Sequence, residues 1–528
     1  MMKSSSQAAL PSFSGKYGTR NGVLLRSLLL ISLLLLAACS SPTAQQPPQS
    51  TVPPTKTPRP ASQISVNTGQ TRATIPDTAF GVNTAVWDNN MLSPDVPDRL
   101  HQAGVTLLRF PGGSLSDIYH WQHNSLTPGK GSYVNPNNTF DAFMNIVQRV
   151  GAQAMITVNY GTNQLGTDGG DPAEAADWVR YANITKHYNI KYWEIGNEVY
   201  GNGTYGGQWE ADQHAEKGPA AYANNILAFV NAMKAVDPTI KIGVSLTSPT
   251  DRINPPVSKM ANWNPTLLSM ACSQIDFVDI HWYPRMHNDE NMGPDAQLLS
   301  RPDRVASVIA QPRSEINQYC GSHAKDVQVF LGEVNTDIHP KQRVNLVNAL
   351  FLADLYMAWL ENGGSNVTWW ELHDGINPAG DNSSTVYGSS NYSDLGILSS
   401  GNQQCNANQC EPPVNTPFAP YYGLQMLTHL GKPGDTIVTA TSRLALVSVH
   451  AVKQANGNLA VLLINKDPGA SATPTLVLSG YTPASTATTY SFGMNDTAIS
   501  SNSMHVAGST LQTTLPPYSL TTIVFTRK

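Results

Sequence analysis

Tyr192-Trp193-Glu194-Ile195-Gly196-Asn197-Glu198-Val199 is the stretch that organises the chain. Its apolar start reads as a buried strand, and Gly-Asn-Glu ends it abruptly. A barrel of parallel strands presents its chemistry at the C-terminal strand ends, so Asn-Glu there sets an amide beside a carboxylic acid. The run Val329-Phe330-Leu331-Gly332-Glu333-Val334-Asn335 ends in Gly-Glu, with Glu333 lying 135 residues (333 − 198) beyond Glu198. Two Glu on two strand ends of one barrel are the pair that retaining glycoside hydrolysis needs, one acid/base and one nucleophile.

Working outward, eight strand candidates emerge: Phe80–Trp87, Thr106–Phe110, Ala154–Tyr160, Ile190–Gly196, Ile240–Leu246, Phe277–Tyr283, Val327–Leu331 and Val367–Glu371. Helix-like segments separate them, among them Phe140–Val150, Ala173–Lys186, Ala220–Val236, Val305–Tyr319 and Lys341–Asn362. Such alternation predicts βα units and a parallel sheet. Eight units in about 300 residues make an α/β fold of the (β/α)8 TIM-barrel type. The rival, a doubly wound open sheet, lacks a Gly-rich phosphate loop after its first strand.

After about residue 425 the pattern changes to short strands separated by Gly, Asn and Pro: Thr436–Val452, Asn458–Asn465, Thr475–Ser479, Thr488–Phe492, Ser503–Val506 and Leu520–Phe525. They predict a C-terminal antiparallel β-sandwich, and Ile64–Thr74 is a candidate extra strand for it. The barrel is thus expected over 62–425 and the sandwich over 426–528, with 62–75 available to join the sandwich. The sandwich has no tryptophan, and simple support accounts for it.

The start of the chain is an address. Arg20 and Arg26 precede the apolar run Leu28 to Leu36, and Leu36-Ala37-Ala38-Cys39 closes it. A basic region, an apolar core and small residues before the cut make a secretory signal. The cysteine after the small residues resembles a bacterial lipoprotein signal, which implies a lipid on Cys39. Residues 1–39 are the expected signal, and 40–61, rich in Ser, Thr, Gln and Pro, a disordered linker. The expected location is secreted and lipid-anchored at the bacterial cell surface, with membrane contact only through that lipid.

Formal net charge is −5 and charged residues make up 13% of the chain. No basic cluster stands outside the signal, which argues against a nucleic-acid partner; a neutral, polar surface suits an uncharged carbohydrate. Besides Cys39 there are Cys272, Cys320, Cys405 and Cys410. Outside the cytoplasm they can pair, Cys405 with Cys410 closing a short loop and Cys272 with Cys320 a long one. Zinc is the poorer reading, since no second close Cys or His pair accompanies 405 and 410.

Other strand ends supply candidates for the pocket. Arg109, in Leu108-Arg109-Phe110-Pro111-Gly112-Gly113-Ser114, can pair with a carboxylate and keep it ionised. Glu194 offers it a structural partner instead: four residues at about 3.3 Å each put Glu194 roughly 13 Å below Glu198, too deep for chemistry. His281 and Tyr283 share a face of Asp276-Phe277-Val278-Asp279-Ile280-His281-Trp282-Tyr283-Pro284 and can hydrogen-bond the nucleophile or a sugar hydroxyl. Trp370 can serve as a platform for a sugar ring, and Glu371 is a rival nucleophile. Tyr160, Trp87 and Asn83, at the ends of the third and first strands, can line the pocket or simply pack.

Arg109-Phe-Pro-Gly-Gly, Gly196-Asn197-Glu198, His281-Trp-Tyr283 and Gly332-Glu333 resemble the retaining glycoside hydrolases of clan A. The Arg-Phe-Pro-Gly-Gly run, the His-x-Tyr and the trailing sandwich resemble family 51 α-L-arabinofuranosidases. The resemblance covers about residues 64 to 528. It implies that Glu198 is the acid/base, kept protonated by its surroundings, that Glu333 is the nucleophile, and that Asn197 holds the sugar hydroxyl beside the reacting carbon. It implies no metal and no organic cofactor. The chain departs from that family at Asn83, where a substrate-binding Glu is usual, and at Ser114, where Asn is usual. Two other readings stand beside an arabinofuranosidase: an endo-acting β-glycanase (glucanase or xylanase) of the same clan, and a non-catalytic carbohydrate-binding lipoprotein. Oligomeric state is not legible.

Overall fold

The computed structural model describes residues 63–528 except 249–256, 285–292, 337–342, 377–384, 387–388, 391, 402–404 and 407–408. The signal, the linker and Cys39 lie outside the described residues, as does Lys341, the expected start of one helix.

Eight parallel strands close into a barrel in sequence order. With β1 being Gln63–Thr74, they are β2 (Phe80–Asn83), β3 (Leu107–Phe110), β4 (Gln153–Val158), β5 (Tyr192–Ile195), β6 (Lys241–Leu246), β7 (Phe277–Trp282), β8 (Gln328–Val334) and β9 (Asn366–Trp369). Parallel strands covered on both faces read as continuous apolar runs, which is why each stood out in the sequence. Most are shorter at their C-terminal ends than their apolar runs suggest; the chain leaves the sheet early to build rim loops.

Side chains alternate between barrel interior and exterior, and the interior fills in layers. Leu107, Met155, Tyr192, Phe277 and Phe330 form the lowest layer, a separate apolar cluster. Two residues further along three of these strands come Arg109, Glu194 and Asp279, all fully buried or nearly so. The apolar plug keeps water from below, so this charged layer must satisfy itself.

Three predicted helices form with nearly the expected bounds: Phe140–Val150, Pro219–Val236 and Val305–Tyr319. Phe140–Val150 is held at its start by Thr139, whose side chain accepts from the Ala142 amide, a standard N-cap. The segment read as Ala173–Lys186 is a helix over Pro172–Val179 followed by a wider π-turn over Arg180–Thr185. Four further helices among the described residues, Val96–Gln102, Trp263–Ala271, Pro294–Leu299 and Ala419–Leu430, had no expectation. Ala419–Leu430 runs across residue 425, where the change of pattern was read.

The C-terminal strands form one nine-stranded sheet. With β10 (Thr436–Ser442), β11 (Val447–Lys453), β12 (Leu459–Asn465), β13 (Thr475–Ser479), β14 (Pro483–Gly493), β15 (Ser500–His505), β16 (Thr510–Gln512) and β17 (Ser519–Arg527), its order is β15-β14-β17-β12-β11-β10-β1-β13-β16. Thr436–Val452, read as one strand, is a hairpin of two. The sheet is antiparallel except that β1 runs parallel to β13. Residues from both ends, Leu476 and Ala487 among them, share one core, so the sheet curls over itself in the manner of a sandwich. Every residue of β12 is buried: Leu459, Val461 and Leu463 face that core, while Ala460, Leu462 and Ile464 join the barrel's core.

The helix Leu346–Glu361 lies against this surface and is buried over all but its last residue. A charged cluster sits in the contact: Asp354 Oδ1 is 2.8 Å from His450 Nε2, and Glu361 Oε1 is 2.7 Å from His450 Nδ1. Lys466 Nζ lies 2.5 Å from Asp354 Oδ2. The cysteines pair as Cys272–Cys320 and Cys405–Cys410.

Candidate active site

Arg109 is the hub at the top of the barrel. It is fully buried at the end of β3. Its Nε and Nη2 donate to Glu194 Oε2 at 3.1 and 2.9 Å. Nη1 donates to Glu333 Oε1 at 2.8 Å and to Asn83 Oδ1 at 3.1 Å, and Nη2 to Asn197 Oδ1 at 2.8 Å. The two readings of Arg109 are therefore joined: one fork holds the deep Glu194 and the rim Glu333 together. Burial opposes its charge, but Glu194, Glu333 and Asp279 outweigh that and raise its pKa further. Burial also raises Glu194, to about 8, against the pull of Arg109.

Glu333 reaches this hub through a break in strand register. Leu331 pairs with Ile280, yet Glu333 pairs with His281, so Gly332 and Glu333 together oppose one residue. Such a bulge re-aims a side chain. It also needs glycine: a Cβ on Gly332 would lie 1.9 Å from Asp279 Oδ2, and the Gly332 amide instead donates to Asp279 Oδ1 at 2.6 Å. Both oxygens of Glu333 are then held, Oε1 by Arg109 and Oε2 by the Tyr283 hydroxyl at 2.9 Å. Burial, with Glu333 beside it, pushes Tyr283 well above the usual phenol range, so it stays a donor.

Glu198 arrives differently. β5 stops at Ile195, and a turn with positive φ at Gly196 (72°) and Glu198 (39°) carries the carboxylate over the barrel mouth. Asp117 pins that turn, accepting from the amides of Asn197 and Tyr160, both at 3.1 Å. Trp209 Nε1 donates to Glu198 Oε2 at 2.6 Å, and His281 Nδ1 lies 2.9 Å from Oε1. His281 Nδ1 is also 3.5 Å from Glu333 Oε2, and its Nε2 is 3.5 Å from Asp279 Oδ2. A carboxylate oxygen of Glu198, one of Glu333 and a nitrogen of His281 all lie within 4.8 Å of one another.

The expectation that its surroundings keep Glu198 protonated does not hold for this geometry. Burial pushes its pKa up, but the hydrogen bonds and charge of His281, then Trp209, outweigh it and bring the carboxyl below its usual range. His281 moves the other way. Burial opposes its charge, yet Glu333, Asp279 and Glu198 raise it well above the ordinary imidazole range. An ionised Glu198 and a charged His281 thus favour each other.

Asn197 uses both ends of its amide, Oδ1 toward Arg109 and Nδ2 toward Glu210 Oε1 at 3.0 Å. Trp370 and Trp87 are both partly exposed, with ring centroids 6.2 Å apart. They sit over Gly112 and Gly113, where a Cβ would lie 3.1 Å from Trp87 Cη2 and 2.7 Å from Trp370 Cη2. Three residues are placed elsewhere. Asn83 is sealed under Arg109, its Nδ2 donating to the Gly332 carbonyl at 2.9 Å. Tyr160 is buried against His214 and Tyr222, its hydroxyl accepting from Asn225 Nδ2. Neither lines the cleft. Glu371 is buried, has no ion pair among the described residues, and burial holds its pKa well up; it does not share the Arg109 fork.

Sequence reasoning missed Trp209, Glu210, Asp117 and the part played by Asp279. Asp279 carried a signal, a charge in an apolar strand at the same parity as His281. Trp209 and Glu210 carried none, since they lie in a polar, Gly-rich loop far from any strand end. Among the described residues, two trios, Glu194–Asp279–His281 and Glu198–His281–Glu333, approach closely enough to hold a cation. In each, Arg109 already donates to a carboxylate and supplies positive charge there.

Residues 99–297 match the family model of the alpha-L-arabinofuranosidase 1 domain. Alpha-L-arabinofuranosidase C of Emericella nidulans is 27% identical over 179 residues, 29% of this chain and 32% of that protein. The intracellular exo-alpha-(1->5)-L-arabinofuranosidase of Bifidobacterium longum is 26% identical over 268 residues, 47% of this chain and 45% of that protein. The chain thus spans about a third of the length of the fungal relative and under half of the bacterial one. Among solved structures, the alpha-L-arabinofuranosidase of Thermotoga maritima covers 88% of this chain with all of its own, at TM-score 0.65 and 17% identity. A bifunctional glucanase-xylanase from a metagenome library covers 88% with 99% of its own, at TM-score 0.62 and 18% identity. In its matched domain and in its barrel-plus-sheet fold, the chain is similar to the family 51 α-L-arabinofuranosidases of glycoside hydrolase clan A.

Proposed function

We propose that this protein is a retaining glycoside hydrolase acting on plant cell-wall polysaccharide or oligosaccharide, as an exo-acting α-L-arabinofuranosidase. The observation that carries the reading is the approach of Glu198 and Glu333 within 4.8 Å, oxygen to oxygen, across His281. Retaining enzymes keep their carboxyls about 5 to 5.5 Å apart, whereas inverting ones leave about 6.5 to 9.5 Å for a water. The names of the Emericella and Bifidobacterium relatives support the choice of sugar.

In this mechanism Glu333, oriented by Arg109 and Tyr283, attacks the anomeric carbon as the bond to the leaving oxygen breaks. The proton held by His281 passes to Glu198 and from it to that oxygen, leaving His281 neutral. A water then attacks the glycosyl-Glu333 ester. Glu198 takes the water's proton, the imidazole recovers it, and Glu333 leaves as a carboxylate. Asn197 holds the hydroxyl beside the reacting carbon, and Trp370 carries the ring. No step calls on a metal or an organic cofactor.

The departures at Asn83 and Ser114 favour one second reading, an endo-acting β-glycanase. A panel of nitrophenyl glycosides separates the two: activity confined to the α-L-arabinofuranoside supports the first, and activity confined to β-xylosides or β-cellobiosides replaces it with the second. Proton NMR of the first-formed sugar tests the mechanism, and an inverted anomer would rule it out. The two disulfides fit an oxidising compartment, and the proposed location is outside the cell on a lipid at Cys39. Cys39→Ser should move the protein from the membrane to the soluble fraction with unchanged activity per molecule; equal membrane retention would count against the anchor.

A further inference from the structure

The Asn-Glu pair is braced from outside its own strand by two consecutive residues of the loop that follows. Trp209 donates to Glu198, as described, and Glu210 accepts from Asn197. The amides of Trp209 and Glu210 both donate to the Gly201 carbonyl, at 3.0 and 3.1 Å. Gly201 is required for that approach, because a Cβ there would lie 2.3 Å from the Trp209 ring. Glu210 Oε1 takes a second hydrogen bond from Ser114 Oγ at 2.7 Å, at a position where the chain departs from the family it resembles. Its Oε2 is buried without a hydrogen-bond partner among the described residues.

We propose that Glu210 is a positioning residue that fixes the Asn197 amide so that its remaining N–H serves the substrate hydroxyl beside the anomeric carbon. The inference rests on the glycosidase reading above and deepens it. An amide can be rotated to exchange its oxygen and nitrogen, and two fixed partners prevent this here. Arg109 can only donate, so it selects Oδ1. Glu210 Oε1 already accepts from Ser114 and so selects Nδ2. One N–H of Asn197 is thereby spent on Glu210, and the other is the donor left for a ligand. Burial, reinforced by Asp117 and Glu198 nearby, pushes Glu210 well above the usual carboxyl range. A neutral carboxyl suits a site that already holds several anions.

The test compares 4-nitrophenyl α-L-arabinofuranoside with its 2-deoxy analogue, reading the ratio of kcat/KM for the two. Glu210→Leu should lower that ratio about tenfold, the order of one well-placed hydrogen bond. Glu210→Gln, with the shape and neutral acceptor of the acid, should recover most of the loss. Asn197→Ala should lower the ratio at least as far, and adding Glu210→Leu to it should lower it little more, because the two act through one contact. Urea unfolding of each variant separates a folding defect from a change in the ratio. An unmoved ratio in folded Glu210→Leu, with a fall in Asn197→Ala, overturns the role of Glu210 alone. An unmoved ratio in both overturns the role of Asn197 as well. Failure of Glu210→Gln to recover the ratio also overturns the proposal, since it would mean that a charge is needed.

Discussion

Removing the charge at Arg109 is the sharpest test of how the site is held together. Its guanidinium makes five hydrogen bonds, to Glu194 twice and to Asn197, Asn83 and Glu333 once each. Arg109→Met leaves Glu194 without its hydrogen-bonded cation and leaves Glu333 and Asp279 with His281 alone. Stripping one partner from a buried ion pair typically costs about 3–5 kcal/mol, and the upper end applies because several acids share this one. The cost should depend on pH. Glu194 already sits near 8 under burial, and loss of Arg109 raises it further. A carboxyl whose folded pKa is raised is tolerated at low pH and loses stability as pH climbs from its unfolded value toward its folded one. Urea unfolding at pH 5 and pH 8, followed by tryptophan fluorescence, should therefore show the larger loss at pH 8 with an unchanged slope. Arg109→Lys keeps the charge, but its three donors on one atom cannot serve four partners. It should recover part of the stability while kcat stays down about 10²-fold, as a misplaced nucleophile predicts. Equal destabilisation of Arg109→Met at both pH values, or full activity in Arg109→Lys, would refute the hub.

Three other outcomes follow from the same geometry. Glu333→Ala should depress turnover of every substrate, whereas Glu198→Ala should spare the glycosylation step of a dinitrophenyl glycoside, because acid assistance worth about 10² to 10⁴ matters little to a good leaving group; azide should rescue Glu198→Ala with retained configuration and Glu333→Ala only with inversion, and identical behaviour of the two variants would make Glu371 the next residue to examine. His281→Phe removes the group that lowers the Glu198 pKa and stores its proton, so the alkaline limb of kcat/KM should move to lower pH; an unmoved limb would show that His281 takes no part in the proton transfer. In the contact between helix and sheet, His450 is buried and, despite the opposing effect of burial, raised to about 10 by Glu361 and Asp354, so its contribution is fully present below about pH 6.5 and fades as pH rises through 10; His450→Gln should cost about 3 kcal/mol in urea unfolding at pH 6 and far less at pH 10, and an equal cost at both would contradict the paired, charged state.

Local pattern was enough for the barrel strands and for placing Glu198 and Glu333 at the ends of two of them. A buried parallel strand must be apolar on both faces, so Phe277–Trp282 and Leu107–Phe110 announce themselves, and the polar residues that end such runs fall at the rim. The same rule explains β12, whose unbroken Leu-Ala-Val-Leu-Leu-Ile serves two cores. Periodicity likewise recovered Phe140–Val150 and Val305–Tyr319, whose apolar faces repeat within one helix. What it could not supply is any relation set by the closing of the barrel. Strand parity put Glu198 and Glu194 on one face, but Glu198 reaches the mouth through a left-handed turn rather than along the strand. Glu333 faces inward only because of the Gly332 bulge, which exists where β8 meets Asp279 of β7. Asn83, at a strand end in the sequence, is capped by Arg109 from the next strand and never meets the cleft. The protonation of Glu198 reversed for the same reason: a pKa is set by charges within a few ångströms, and His281, 83 positions away in the chain, is brought there by the fold. Trp209 and Glu210 complete the contrast, since nothing local to a Gly-rich loop indicates that it folds back onto the strand end that precedes it. Composition and spacing thus determined which strands and which acids this protein has; only the closed barrel decided which of those acids meet His281 and Arg109, because that depends on distances across strands that the sequence does not encode one residue at a time.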